Sequence, residues 1–298
     1  MAGTDPELEA FVPFFVRLDL TDPAAERGRY AEPAAARPAP DTSAPTVEDR
    51  TVPVGPDVPV RIHRPYGARG AVVSMHGGGW VLGDLDTEHH WAARIAAGSG
   101  ATVISVGYRL APGHPYPAAL DDVHAVLAWT AGHAAEPGID PARIAVGGHS
   151  SGAGPAAAVA LRARDRRGPA VCCQLLDEAA LDDRQETWSA RNLTGTPWSD
   201  RATVAAAWRH YLGSTPATPY AAPARATDLS GLPPAYIAAA ELDPNRDEDI
   251  AYAPGLLRAG VCVELHQWPG TFHGSPALLS ADVSRRGFAE LTWPCAGR

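Results

Sequence analysis

No apolar run in this chain approaches the roughly 20 residues a membrane-spanning helix needs. The first residues, Met1 to Glu7, also lack the basic stretch and apolar core of a secretory leader. A soluble, cytoplasmic protein is expected. Positive charge is in deficit, with 25 Lys and Arg against 34 Asp and Glu and a formal net charge of −9. That balance argues against nucleic acid and anionic membranes as partners. Cysteine is sparse. Cys172, Cys173, Cys262 and Cys295 have no metal-ligand spacing, and the adjacent pair would face opposite ways in a strand. All four are expected to be small buried hydrophobes rather than ligands or a disulfide. There is no internal repeat and no extended low-complexity segment.

The 298 residues with 45% hydrophobic content suffice for a large core, and single α/β domains reach this size. Short apolar runs predict strands at 46–53, 58–64, 71–75, 102–106, 143–147, 170–176, 234–240 and 261–266, with helices between most of them. Ahead of them, Leu8, Phe11, Val12, Phe15 and Leu18 recur at three- and four-residue intervals, which predicts a helix over 5–30. A proline- and alanine-rich stretch at 33–45 reads as a linker. The interval 181–223 breaks the alternation, and its Trp188, Trp198, Trp208 and Tyr211 suggest a second piece of a helical cap.

Two motifs carry chemistry. Gly148-His149-Ser150-Ser151-Gly152 places a serine between glycines, as a strained strand-to-helix turn requires. A strand-like run at 144–146 precedes it and an alanine-rich, helix-compatible run at 153–164 follows. Upstream, His76-Gly77-Gly78-Gly79-Trp80 follows a strand and offers backbone N–H groups to a developing oxyanion, unobstructed by side chains. Together they supply the halves of an acyl-transfer site with Ser150 as nucleophile. Such a serine needs a base, and the base needs a carboxylate to hold its tautomer. Asp243 stands in a turn after the strand at 234–240, where open α/β sheets place their active sites. His273 lies in a loop, 269–274, beyond the last strand. Asp177, after the strand at 170–176, is the alternative acid. Asp247 and Glu248 fall where a helix begins and have an ordinary explanation in its dipole, and His266, within a strand, reads as structural.

In these segments the chain resembles the hormone-sensitive-lipase-like family of α/β-hydrolase esterases. The matches also take in Tyr108-Arg109-Leu110-Ala111-Pro112, the segment 115–122, Asp243-Pro244-Asn245-Arg246-Asp247-Glu248 and Phe272-His273-Gly274. The resemblance implies an α/β-hydrolase fold: a mostly parallel eight-stranded sheet flanked by helices. Residues 46–298 would form the catalytic core, and 1–45 with 181–223 the cap. It implies Ser150, Asp243 and His273 as the triad and the N–H groups of Gly78, Gly79 and Ser151 as oxyanion donors. His76 and Gly77 would support the loop, and Trp80, His149 and Trp208 are candidates for the substrate pocket. The implied activity is hydrolysis of short- to medium-chain acyl esters without metal or organic cofactor. A homodimer is left open.

Several residues depart from the family pattern. His149 precedes the nucleophile, where an acidic or small residue is usual, and reads either as a half-buried histidine bonded to a loop or as part of a tuned pocket. Ser151 replaces an alanine. Pro155 is expected to make the helix start irregular. The stretch 176–184 keeps Leu181-Asp182-Asp183-Arg184 but loses the usual aromatic or proline residues near the strand end, which leaves substrate shape open. A biosynthetic acyltransferase or lactone-forming enzyme would use the same acyl-enzyme with another acceptor, and a non-catalytic small-molecule receptor on this fold would lack the histidine. The base is expected to titrate near the ordinary histidine value of about 6.5.

Overall fold

The computed structural model describes residues 3–35, 45–135 and 138–297. Its strands are β1 (Pro45–Pro53), β2 (Asp57–Pro65), β3 (Ala71–Met75), β4 (Thr102–Val106), β5 (Ile144–His149), β6 (Gln174–Asp177), β7 (Ala235–Leu242) and β8 (Val263–Phe272). They form one eight-stranded sheet in the order β1-β2-β4-β3-β5-β6-β7-β8. The β1–β2 and β2–β4 pairs are antiparallel and all the others parallel. Every residue of β3 and β4 is buried, as expected of parallel strands covered on both faces, whereas β2 starts with exposed and buried residues in alternation.

The helices are α1 (Pro6–Glu9), α2 (Pro23–Ala35), α3 (Leu85–Ser99), α4 (Ala118–Gly132), α5 (Ala153–Asp165), α6 (Trp188–Asn192), α7 (Arg201–Leu212), α8 (Arg246–Arg258) and α9 (Asp282–Gly297). On one face of the sheet, Ile95 and Ala96 of α3 and Leu291 of α9 cluster with Val72, Val103 and Tyr236. Opposite them, Val126 and Leu127 of α4, Val159 of α5 and Leu256 of α8 join Val73, Ile104, Val146 and Ile237. The alanines of α5 are all buried, so this helix lies close against the strands. The parallel strands therefore deliver their C-terminal ends to one edge of a rigid sandwich.

Several expectations are corrected. The N-terminal segment is not one helix over 5–30: α1 stops at Glu9, a 3₁₀ turn occupies Val12–Phe14, and α2 starts only at Pro23. Pro13 has no N–H to donate to the Glu9 carbonyl, so α1 cannot continue. Pro23 opens α2 behind Asp22, whose Oδ1 accepts from the N–H groups of Ala24 and Ala25. Helix α2 then runs to Ala35 through the start of the expected linker, of which 36–44 lie outside the described residues. Next, β6 begins at Gln174 rather than 170. Cys172 and Cys262 are exposed and Cys173 is half-buried, because they precede β6 and β8 at the sheet edge remote from the strand ends. The side chain of Cys295 lies outside the described ones. Finally, β8 reaches Phe272 across a register break opposite Ala240 and Leu242, so His273 leaves the strand directly instead of from a loop.

The Tyr108–Asp122 stretch has a structural use. Asp122, 2% exposed, accepts from the Arg109 N–H at 2.9 Å and from its guanidinium at 2.7 Å, tying the chain after β4 to α4. Asp122→Ala strands both donors and should lower unfolding free energy by about 2 kcal/mol, the half-exposed arginine keeping the loss below that of a fully buried pair. Urea unfolding measures it. An unchanged midpoint would show that the pair does not hold this connection.

Candidate active site

Strand β5 runs into a left-handed turn at Ser150 (φ 55°), then a 3₁₀ turn at Ser150–Gly152, then α5. A Cβ at Gly152 would lie 2.1 Å from the Met75 carbonyl oxygen, and one at Gly148 2.6 Å from the same atom, so only glycine fits at either place. Pro155 stands in the first turn of α5, where its missing N–H leaves no bond unmade. Serine is thus forced into an otherwise unfavourable conformation that lifts its hydroxyl above the sheet edge.

The glycine loop follows β3. Its backbone turns left-handed at Gly78 (φ 113°), Gly79 (φ 62°) and Trp80 (φ 61°), and a Cβ on Gly78 would come within 2.5 Å of the Leu82 carbonyl oxygen. His76 stacks on Tyr108 at 4.2 Å, its Nδ1 lies 2.8 Å from the Gly77 carbonyl, and the Tyr108 hydroxyl donates to the His76 carbonyl at 2.7 Å. Burial holds the imidazole neutral by lowering its pKa to about 4, so Nδ1–H can donate. The Ser151 hydroxyl accepts from the Trp80 N–H at 3.2 Å and clips the loop to the serine turn. Among the described residues, no backbone acceptor faces the N–H of Gly78 or Gly79. Trp80 is 1% exposed, stacked on Tyr211 at 4.4 Å and packed on Trp208 at 4.4 Å. Trp208 therefore does not line the pocket as expected; it packs behind Trp80. Trp198 lines the site instead.

His273 completes a relay. Its Nε2 is 2.8 Å from Ser150 Oγ and its Nδ1 2.7 Å from Asp243 Oδ2, while Asp243 Oδ1 accepts from the Asn245 N–H at 2.9 Å. With Nδ1–H donated to the carboxylate, Nε2 is left to accept the serine proton. Asp177 sits buried at the end of β6 and makes no such bond, which separates it from Asp243. Asp247 accepts from the Ser189 N–H and Glu248 from the Leu181 N–H, both structural tasks. His266 hydrogen-bonds Glu264 and stacks on Trp268. Glu178, Asp243 and His273 are close enough to share a metal ion, but both imidazole nitrogens are already committed to Asp243 and Ser150.

Around the histidine lies a second layer of acid, of which the sequence reading named Asp177 as the alternative acid but missed Glu178. Glu178 Oε2 lies 3.7 Å from His273 Nδ1 while accepting from the Gly274 N–H, and Asp177 is its chain neighbour. Burial alone would lower the His273 pKa; the charge and hydrogen bond of Asp243, then Glu178 and Asp177, outweigh it and raise it to about 9. The value near 6.5 expected from sequence is therefore corrected upward. Burial in turn lifts Asp177 to about 7 and Glu178 well above the usual carboxylate range. The loss of aromatic and proline residues at this strand end was the signal. His149 has its Nδ1 3.7 Å from Glu88 Oε2, packs edge-on against Trp91, and is driven down to about 3 by burial and then by His273 and His76.

Two cavities meet at Ser150 and His273. The smaller, about 40 Å³, is bounded by Leu18, Leu20, Gly79, Val204 and Ala207. The larger, about 670 Å³, takes in Phe11, Phe15, Tyr30, Trp91, His149 and Trp198. The N-terminal segment thus lines both, and it is tied down by bonds from the Asp5 N–H to the Gly270 carbonyl (2.9 Å) and from the Leu18 N–H to the Trp198 carbonyl (3.2 Å). Among the described residues, no helix is long and apolar enough to cross a membrane.

Known proteins resemble this chain in fold and sequence. A model of the α/β-hydrolase fold matches residues 72–277. The carboxylesterase NlhH of Mycobacterium tuberculosis is 42% identical over 261 residues, 82% of each chain. The esterase LipI of the same organism is 43% identical over 229 residues, 74% of this chain and 71% of its own. Among solved structures, a bacterial heroin esterase aligns with a TM-score of 0.94 at 39% identity, covering 98% of this chain and 97% of that one. Esterase LipW from Mycobacterium marinum aligns at 0.90 with 40% identity, over 98% and 95% of the two chains. Fold, motif order and these relatives agree: the chain belongs to the hormone-sensitive-lipase-like esterases of the α/β-hydrolase family.

Proposed function

We propose that this esterase is a serine carboxylesterase acting on short- to medium-chain acyl esters through an acyl-enzyme. The observation that carries the reading is the relay from Asp243 through His273 to Ser150, set where two cavities meet. His273 Nε2 takes the Ser150 proton as Oγ attacks the ester carbonyl, and returns it to the departing alcohol; water then repeats the sequence to release the acid. Asp243 holds the imidazole in the Nδ1–H tautomer and stabilises its charged form. The N–H groups of Gly78, Gly79 and Ser151 receive the oxyanion, each such donor being worth about 10²- to 10³-fold in kcat. Residues 1–45 and 181–223 act as a cap over the core formed by 46–298, and excluding water there strengthens the oxyanion contacts.

Ser150→Ala should cost about 10⁴-fold or more in kcat, and Asp243→Asn should cost far more than Asp247→Asn, because triad members act as a unit. Steady-state kinetics on an aryl ester, with melting curves as a folding control, decide this; near-normal turnover in folded Asp243→Asn would remove it from the mechanism.

The base must be neutral to accept a proton, so kcat/KM should rise with pH through an apparent pKa above the ordinary 6.5, toward the value of about 9 set by its carboxylates. Glu178→Gln removes one negative neighbour and should shift that limb to lower pH. A profile superimposable on the parent's would mean that Glu178 is uncharged while His273 titrates.

Removing the residues before Thr46 opens both cavities. We expect kcat/KM for acetyl and hexanoyl esters to fall by about tenfold or more through lost positioning and water exclusion. Unchanged kinetics with both esters would take this segment out of the pocket.

A further inference from the structure

Three carboxyl groups in the larger cavity, Glu88, Asp177 and Glu178, make no hydrogen bond to the relay's side chains, although the last two act on the charge of His273. Glu88 stands in the first turn of α3, where an acidic residue has an ordinary reason in the helix dipole. Its side chain, however, is only 3% exposed, and its Oε1 has no hydrogen-bond partner. Glu178, also 3% exposed, likewise leaves Oε1 without a partner, and it follows Asp177 in a left-handed conformation (φ 49°) that only glycine adopts without strain. All three line the same space as Ser150 and His273. Burying polar oxygens without partners is costly, and a cavity meant for neutral, apolar groups gains nothing from them.

The surroundings narrow what those oxygens await. His149 Nδ1 lies 3.7 Å from Glu88 Oε2, beyond hydrogen-bond distance, and has no hydrogen-bond partner, while burial favours its neutral form. Burial and then Asp177 push the Glu88 carboxyl well above its usual range, so it keeps a proton until a cation replaces that proton. Trp91, Tyr30, Phe15 and Trp198 add aromatic faces to the wall, and such faces attract cations. Half-buried Arg94 is the other cationic group on the lining, on the same helix as Glu88 but six residues further along.

We propose that the larger cavity is a cation subsite, and that the esters favoured by this enzyme carry an ammonium group, received by Glu88, Asp177 and Glu178 against the aromatic wall. The inference rests on the esterase reading above. The test uses matched pairs: the acetyl ester of choline against 3,3-dimethylbutyl acetate for a cation on the alcohol side, and phenyl trimethylammonioacetate against phenyl 3,3-dimethylbutanoate for one on the acyl side. Each kcat/KM ratio is divided by the ratio for alkaline hydrolysis. We expect the full chain to favour the cationic member of at least one pair by about tenfold, and Glu88→Gln and Asp177→Asn each to remove most of that preference. Tetramethylammonium should compete with the neutral ester in the unaltered protein, a measurement that needs no variant to fold. No preference in either pair, or a preference that survives both substitutions, overturns the subsite. Failure to hydrolyse even the neutral esters would count against the esterase reading instead.

Discussion

The glycines of the serine turn sit directly against the Met75 carbonyl, and that contact sets one backbone spacing between the end of β3 and the start of α5. The glycine loop grows from the first of these elements and Ser150 precedes the second, so their separation is fixed by main chain. The Ser151 hydroxyl reinforces it from within the turn, through the Trp80 N–H. Preorganised donors are effective because nothing has to move when charge develops. The cost is a serine in a left-handed conformation, offset by the parallel strands and the alanine-lined helix that clamp the turn from both sides.

A second constraint is the unequal treatment of buried acid. Asp243 is fully buried but has the Asn245 N–H and His273 as partners, and Asp249 and Glu248 accept from the Ala179 and Leu181 N–H groups. These last two anchor the chain after β6 to α8. Glu88 and Glu178 are buried to the same degree with an oxygen each left over. Asp249 keeps Oδ2 without a partner as well, so what sets Glu88 and Glu178 apart is that they face the larger cavity.

Residues whose placement depends on local backbone conformation were legible in the sequence. The two glycine motifs announce the serine turn and the loop because only glycine tolerates those contacts, and Asp243 is marked by its place at a strand's end. The eight strands were found nearly in place, since short apolar runs between turn residues have few other readings. What failed depends on meetings between distant segments. Glu88 and Glu178 join one cavity only because α3 and β6 end at the same sheet edge, and nothing within either segment says so. Trp208 and Trp198 are alike in sequence, yet one packs behind the loop and the other faces the site. The spacing of apolar residues in the first 30 positions suggested one helix, but Pro13 interrupts it, and that periodicity belongs to a segment draped over two cavities.

The way that segment is attached bears on how the enzyme wears out. Leu8 packs with Phe272, Ala281 and Val283 in a satellite cluster separate from the two cores of the sheet, and Phe272 is the residue before His273. A local opening that releases Leu8 therefore loosens the support beneath His273 while the sheet remains intact, and small peripheral clusters open at lower free energy than the core. On warming, the small patch is then expected to open before the sheet, so that durability depends on a few side chains remote from the main core.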